Sequence, residues 1–224
     1  MKLNVVNLGR IEYDKALDIQ EKLLAKCQNQ DLDDTLLLLE HPAVLTMGIR
    51  AEKSNIFLSQ EQLQANGVRI YEVNRGGDVT YHGPGQIVGY PIFHLSRHGK
   101  SIKDFVLKIQ EVFIRLLTNE YGISPHREDK KYMGVWVGND KITAIGIAVQ
   151  HWVTMHGFAF NVNTDLSHFN WINPCGLTGR GVTSLQKLTG TTQDMDHLYQ
   201  LTAQYFCEVF NMEENICTIE SLIG

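Results

Sequence analysis

Apolar residues in this chain change period several times, and each change marks an element. Residues 3 to 8 read as a strand. From Tyr13 to about Gln28 the apolar positions Ala16, Leu17, Ile19, Leu23, Leu24 and Cys27 fall largely at helical spacing. Thr35 to Glu40 is a continuous apolar run of strand length, followed by His41-Pro42 and a second short strand at Val44 to Met47. Ser59-Gln60-Glu61-Gln62 has the form of a capping box opening a helix that stops near Gly67. Val68 to Val73 then alternates as a strand.

The second half begins with the clearest helix of the chain. Ser101 caps it, Ile102, Phe105, Val106, Ile109, Val112, Phe113, Leu116, Leu117 and Tyr121 form a wide apolar face, and Gly122 ends it. Tyr132 to Val137, a Gly138-Asn139-Asp140 turn, Lys141 to Val149 and Trp152 to Val162 then predict a three-stranded antiparallel meander. A polar loop holds Asn173-Pro174-Cys175-Gly176, and helices are expected over Ser184 to Leu188 and Met195 to Phe210. Adjacent strands with interspersed helices predict an α+β fold with a mixed or antiparallel sheet.

Between the two halves lies the stretch least like an ordinary element. Residues 75 to 91 hold five glycines and two prolines around Arg75, Tyr81 and His82. Gly76-Gly77 and Gly83-Pro84-Gly85 break regular structure, with Val79-Thr80-Tyr81 as a strand between them and the apolar run Ile87 to Phe93 after them. A hairpin connection would explain glycine alone. Two glycine clusters flanking polar aromatics favour a cradle for a ligand.

Composition narrows the options. A chain of 224 residues suits one large domain, here 1–224. Its 43% hydrophobic and 20% charged residues are ordinary for a globular protein. No apolar run approaches the ~20 residues of a membrane span, and residues 1 to 8 are too short and polar for a signal peptide, so a cytoplasmic location is expected. A net charge of −5 gives no reason to expect binding to nucleic acid or to an anionic membrane. Two local basic groups, Arg127 with Lys130 and Lys131, and Arg97 with Lys100 and Lys103, are candidates for docking acidic partners.

The four cysteines, Cys27, Cys175, Cys207 and Cys217, form no CxxC pair, which excludes common zinc spacings. Cys27 and Cys207 sit on apolar helix faces and read as core. Cys175, next to Pro174 and Gly176, has the loop context of a nucleophile, although an inert thiol has the same context. Lys141 opens an otherwise buried strand. Facing a pocket, it would support a thiolate or accept its proton, and the small Ala144 and Gly146 would leave room for a slender ligand. His82 and His156, each beside a glycine, are candidates for hydrogen bonding. No metal is expected, and no P-loop or strand–GxGxxG–helix arrangement occurs.

Four motifs stand in order: residues 75 to 86, Lys141-Ile-Thr-Ala-Ile-Gly146, Met155-His-Gly-Phe-Ala-Phe-Asn-Val-Asn163, and Asn173-Pro-Cys-Gly176. Together they resemble the lipoyl(octanoyl) transferase family, from the first strand to about Gly190. The resemblance implies the catalytic-domain fold shared with biotin and lipoate protein ligases. It implies Cys175 as the nucleophile that takes octanoyl from octanoyl-acyl carrier protein, and Lys141 as its acid/base partner. It implies a substrate site lined by Arg75, Gly76, Gly77, Asp78, Val79, Thr80, Tyr81 and His82, by Ala144, Ile145 and Gly146, and by Gly157, Phe158 and Ala159. The acceptors implied are lipoyl domains of 2-oxoacid dehydrogenase E2 subunits and the glycine cleavage H protein, and no cofactor is implied. Two other readings remain: an ATP-dependent lipoate or biotin ligase on the same scaffold, and a carrier-binding module without catalysis.

Overall fold

The computed structural model describes residues 1–128, 132–173 and 180–224. The chain opens with β1 (Lys2–Arg10) and α1 (Tyr13–Gln28), then β2 (Thr35–Glu40) and β3 (Val44–Met47) with the bounds their apolar runs mark. Next come α2 (Gln60–Ala65), β4 (Arg69–Glu72), β5 (Val79–His82) and β6 (Gln86–Ile92). After α3 (Ile102–Tyr121) follow β7 (His126–Arg127), β8 (Gly134–Val137), β9 (Asp140–Gln150) and β10 (Val153–Asn161). The chain closes with β11 (Gly181–Val182), α4 (Leu185–Thr189), α5 (Met195–Phe210), β12 (Glu213–Ile216) and α6 (Ile219–Ile223).

The large sheet runs β12-β1-β2-β6-β10-β9-β8-β7, with β11 added beside β9. Its centre is antiparallel, including the expected β8-β9-β10 meander, while β12, β1 and β2 run parallel to one another. The middle of strand β2, Leu36 to Leu39, is continuously apolar because both its faces are covered. Leu36 and Leu38 enter the core under α3 and α5, whereas Leu37 and Leu39 enter the layer under α1. A second sheet, β4-β3-β5, carries a smaller core with Leu63 of α2.

Helix signals in the sequence correspond to real caps. Ser59 and Gln62 form the reciprocal capping box of α2, and Ser101 accepts from the Asp104 N–H at the start of α3. Elements that the apolar pattern does not mark are short or polar: β7, β11, β12, α6 and the 3₁₀ turns at Lys53–Asn55, Leu95–His98 and Leu166–Trp171. Strand β12 reads Glu-Glu-Asn-Ile and is exposed throughout. It exists only because β1 offers it a ladder. No helix among the described residues is long and apolar enough to cross a membrane.

Candidate active site

One cavity of about 240 Å³ opens where the second sheet abuts the large one. The Arg75–Thr80 segment and His82 form one wall, Ala144–Ile147 of β9 a second, and His156–Ala159 of β10 a third. Ile102 and Val106 of α3 close one end, and Tyr13, Gln86 and Tyr90 another side. Every substrate-site residue expected from the sequence reaches this cavity except Tyr81. Alternation along β5 turns Tyr81 into the core of the second sheet, where its hydroxyl meets His168 Nδ1 at 2.7 Å and its ring lies edge-on to Phe169 and Trp171.

Arg75 is buried and holds the wall in place. Its Nη2 donates to Thr46 O (2.7 Å) and Oγ1 (2.8 Å), and its Nη1 to Gly76 O (3.1 Å). The loop is stitched to β9 by the Gly76 N–H, which donates to Ile147 O at 2.9 Å. That approach requires glycine at 146, since a Cβ there would lie 2.7 Å from Gly76 O and 3.3 Å from Arg75 Cδ. Gly146→Ala is therefore expected to push the Arg75 loop off β9, destabilising the fold by about 1–3 kcal/mol. Activity should fall at least ~10-fold, because small misplacements of a binding wall are costly to rate. Thermal melts and steady-state kinetics of the variant check both parts, and an unchanged kcat/KM would contradict them.

Behind Arg75 lies a layer of histidines and tyrosines. His82 Nδ1 is 2.8 Å from Gln86 Oε1, and Gln86 Nε2 donates to Tyr81 O and Asn161 Oδ1. The Gln86 oxygen must accept, so His82 carries its proton on Nδ1. His41 donates from Nδ1 to Ile11 O and accepts from the Tyr90 hydroxyl at Nε2 (2.7 Å). His156 takes a left-handed φ of +56° within β10, its N–H donating to Gln20 Oε1 and its Nε2 to Asn74 Oδ1.

Burial keeps all three rings neutral. It lowers His82 to about 3, helped by nearby His41, Arg75 and His156. It lowers His41 to about 4, and it lowers His156 to about 4 with help from Arg75. Because the folded pKa is depressed, the unfolded chain binds more protons below the ordinary histidine value. The stability these groups carry is complete above about pH 6.5 and is lost as pH falls toward 4 and below. Each histidine is expected to remove about 1.4 kcal/mol per pH unit within that window. Urea unfolding at intervals from neutral pH down to pH ~5 checks this; a flat profile would contradict it.

Lys141 owes its position to a β-bulge. The β8–β9 ladder pairs Val135 with Thr143 and then Trp136 with Lys141, so β9 carries one extra residue. The bulge resets the alternation: Ile142 and Ile145 both enter the core, and Lys141 lines the cavity together with Ala144 and Gly146. Strict period-two alternation would put Lys141 on the face opposite Ala144. The Lys141 stem lies along Gly134, where φ is +145° and a Cβ would come 3.2 Å from Lys141 Cδ and 2.4 Å from Thr143 O. Only 9% of the lysine is exposed, and its Nζ stands 4.9 Å from the centroid of the fully buried Trp136 ring.

Lys141 also lines a second cavity, of about 540 Å³, with Phe57, Asn173, Arg180, Val182 and Lys187. Asn173 is anchored there through its N–H to Asn55 O (2.8 Å). Cys175 lies outside the described residues. The other cysteines fill space. Cys27 is buried, while Cys207 and Cys217 are half-buried against the two main cores, and burial raises all three thiols.

One arginine of each basic group is held in an ion pair. Arg97 pairs with buried Asp34 at 3.0 Å, and Arg127 pairs with Glu111; Lys130 and Lys131 lie outside the described residues. Sequence reasoning missed Tyr13, Tyr90, Ile102, Val106 and Met133 as cavity lining. Each satisfies a helix, strand or loop pattern on its own, so no local signal distinguishes it. Gln86 and His156 were visible as the polar members of otherwise apolar or glycine-rich motifs.

With this geometry in hand, the relatives are informative. The family model described as lipoyl protein ligase A/B catalytic domain matches residues 12–207, and the chain belongs to that family. It is 59% identical to an octanoyltransferase of Desulforamulus reducens, over 96% of this chain and 94% of that one. It is 56% identical to an octanoyltransferase of Caldicellulosiruptor saccharolyticus, over 99% and 94%. Within the family it stands with the octanoyltransferases and is an acyltransferase. Among solved structures it shares its fold with a putative lipoate protein ligase from T. acidophilum with bound lipoic acid. There the TM-score is 0.75 at 14% identity, covering 100% of this chain and 93% of that one. The α+β architecture expected from the sequence is thus the ligase-type catalytic fold.

Proposed function

We propose that residues 1–224 act as one catalytic domain that moves an octanoyl group from octanoyl-acyl carrier protein to a specific lysine of lipoyl domains. The acceptors are those of 2-oxoacid dehydrogenase E2 subunits and the glycine cleavage H protein. The Cys175 thiolate attacks the donor thioester, the carrier leaves as its thiol, and the octanoyl group rests on sulfur as a thioester. The acceptor amine then attacks that thioester, amide forms, and the Cys175 thiolate is released. Lys141 gives a proton to the departing carrier thiolate and takes one from the incoming amine. Thioester exchange is nearly balanced and aminolysis is downhill, so the sequence needs no ATP.

One observation carries this reading. Lys141 lies where the main cavity meets the second, and Asn173 and Arg180, the described residues bracketing the Cys175 segment, line that second cavity with it. Cys175 follows Asn173 by two residues in the sequence. The main cavity supports the rest. Its lining by Val79, Ala144, Ile145, Phe158, Ala159 and Val106 suits an alkyl chain, at roughly 0.8 kcal/mol per buried methylene. Arg75, the glycine walls and His82 then serve to hold the acyl thioester, with His82 positioning it as a neutral ring.

The deciding measurement is intact-mass spectrometry after mixing with octanoyl-acyl carrier protein in the absence of ATP. An adduct of one octanoyl group, discharged by added lipoyl domain, is expected. A chain that gains no covalent mass but binds the carrier would be a docking module, and one that needs ATP and free acid would be a ligase.

A further inference from the structure

We propose that Arg180 is a positioning residue of the transfer reaction, acting on the Lys141 amine through the Trp136 indole that the two cations share. The inference rests on the acid/base role proposed for Lys141. Trp136 is fully buried, and its Nε1–H donates to Tyr132 O at 2.9 Å, which fixes the plane of the ring. Lys141 Nζ lies 4.9 Å from the Trp136 ring centroid and Arg180 Cζ lies 5.0 Å from it. Arg180 Cζ also lies 4.4 Å from the Tyr132 ring. These are cation–π distances, and a guanidinium lies flat on such faces.

A backbone link reinforces the stack. Gly181 and Val182 run parallel to Asp140 and Lys141, and the Thr183 N–H donates to Lys141 O at 3.0 Å. Arg180 is thus delivered beside Lys141 by the chain that leaves the Cys175 segment. Outward, its Nη1 is 3.1 Å from Glu128 Oε1, so an ion pair on one side and the aromatic faces on the other hold its orientation.

The ammonium and the guanidinium are at most about 10 Å apart, since both distances run to one centroid. Other charges around Lys141 come from several elements. Asp140 on its own strand pairs with Lys187 of α4 at 4.0 Å. Across the main cavity stand Arg50, Arg75, Asp78, Tyr13 and the neutral His82 and His156, with Asp78 accepting from Asn55 Nδ2. Arg180 alone of these is seen to share an aromatic ring with Lys141 among the described residues. A fixed cation at this range favours the neutral amine, the form that accepts a proton. At an effective dielectric constant of about 20 a full charge at this range is worth about one pH unit, which the paired Glu128 carboxylate reduces.

The test is single-turnover discharge of the octanoyl-enzyme by lipoyl domain, the step in which Lys141 takes a proton, followed by intact mass across pH, for wild type, Arg180→Gln and Arg180→Lys. Arg180→Gln should still form the adduct but discharge it up to ~10-fold more slowly at neutral pH, with the half-saturating acceptor concentration within about twofold. Its rate–pH midpoint should move up by as much as about one unit, because the neighbouring cation is gone. Arg180→Lys keeps the charge without the planar stack, so its midpoint should stay near wild type while its rate recovers only in part. Wild-type rate and midpoint in Arg180→Gln, or equal midpoint shifts in both variants, would overturn the proposal. Absence of any adduct in wild type would instead remove the acyl-enzyme reading on which it rests.

Discussion

Cys175→Ala is expected to abolish octanoyl transfer, with a loss of at least about 10³-fold in kcat and no octanoyl mass on the protein. The reason lies in the chemistry of the two half-reactions. Without the thiol, the acceptor amine must attack the carrier thioester directly, which requires both proteins at the cavity at once. A covalent intermediate lets them visit in turn, so wild type should show ping-pong kinetics and the variant none. Carrier binding should survive, because alanine removes only the sulfur and leaves the described cavity walls as they are. If Cys175→Ala still acquires an octanoyl group, or retains transfer, the nucleophile is elsewhere and the proposed reaction path is wrong.

Lys141→Ala is expected to slow both half-reactions by about 10²–10³-fold, the range of positioned proton transfer, with little change in donor KM. Lys141→Arg should be equally impaired. Guanidinium keeps the charge on Trp136 but does not give up its proton at accessible pH, so it cannot serve as base. The pair of variants separates two roles for one amine. An active arginine variant would mean that charge beside the reacting sulfur suffices, and unchanged single-turnover rates in the alanine variant would dismiss Lys141 altogether. Its burial along Gly134 argues that the side chain has one available direction, into the cavity.

Much of the fold was readable because its signals are local. Thr35–Glu40 and Val44–Met47 are apolar over the very spans that form strands, and α3 has both its serine cap and its terminal glycine. The two-residue turn at His151–Trp152 was less readable, since both residues take positive φ without being glycine. Strand β12 was invisible, because an exposed acidic tetrapeptide has no pattern of its own and is ordered by pairing with β1. Tyr81 illustrates the same limit inside the glycine motif. Its neighbours Thr80 and His82 reach the cavity, while the alternation of β5 and the presence of a second core behind it send Tyr81 to His168.

By itself the sequence determined the order of the longer elements, the α+β class and the family, since caps, periodicities and ordered motifs are properties of short segments. It also marked the wall residues, because glycine where a backbone must approach closely is a local requirement. Tertiary structure alone decided how those pieces meet. It joined β1, β2 and β12 in parallel, placed the Arg75 loop against Gly146, and brought Arg180 and Lys141 to one indole. It also decided which way Lys141 points. A single extra residue in β9 carries the lysine to the side of Ala144 and Gly146, and side-chain direction after a bulge depends on the partner strand.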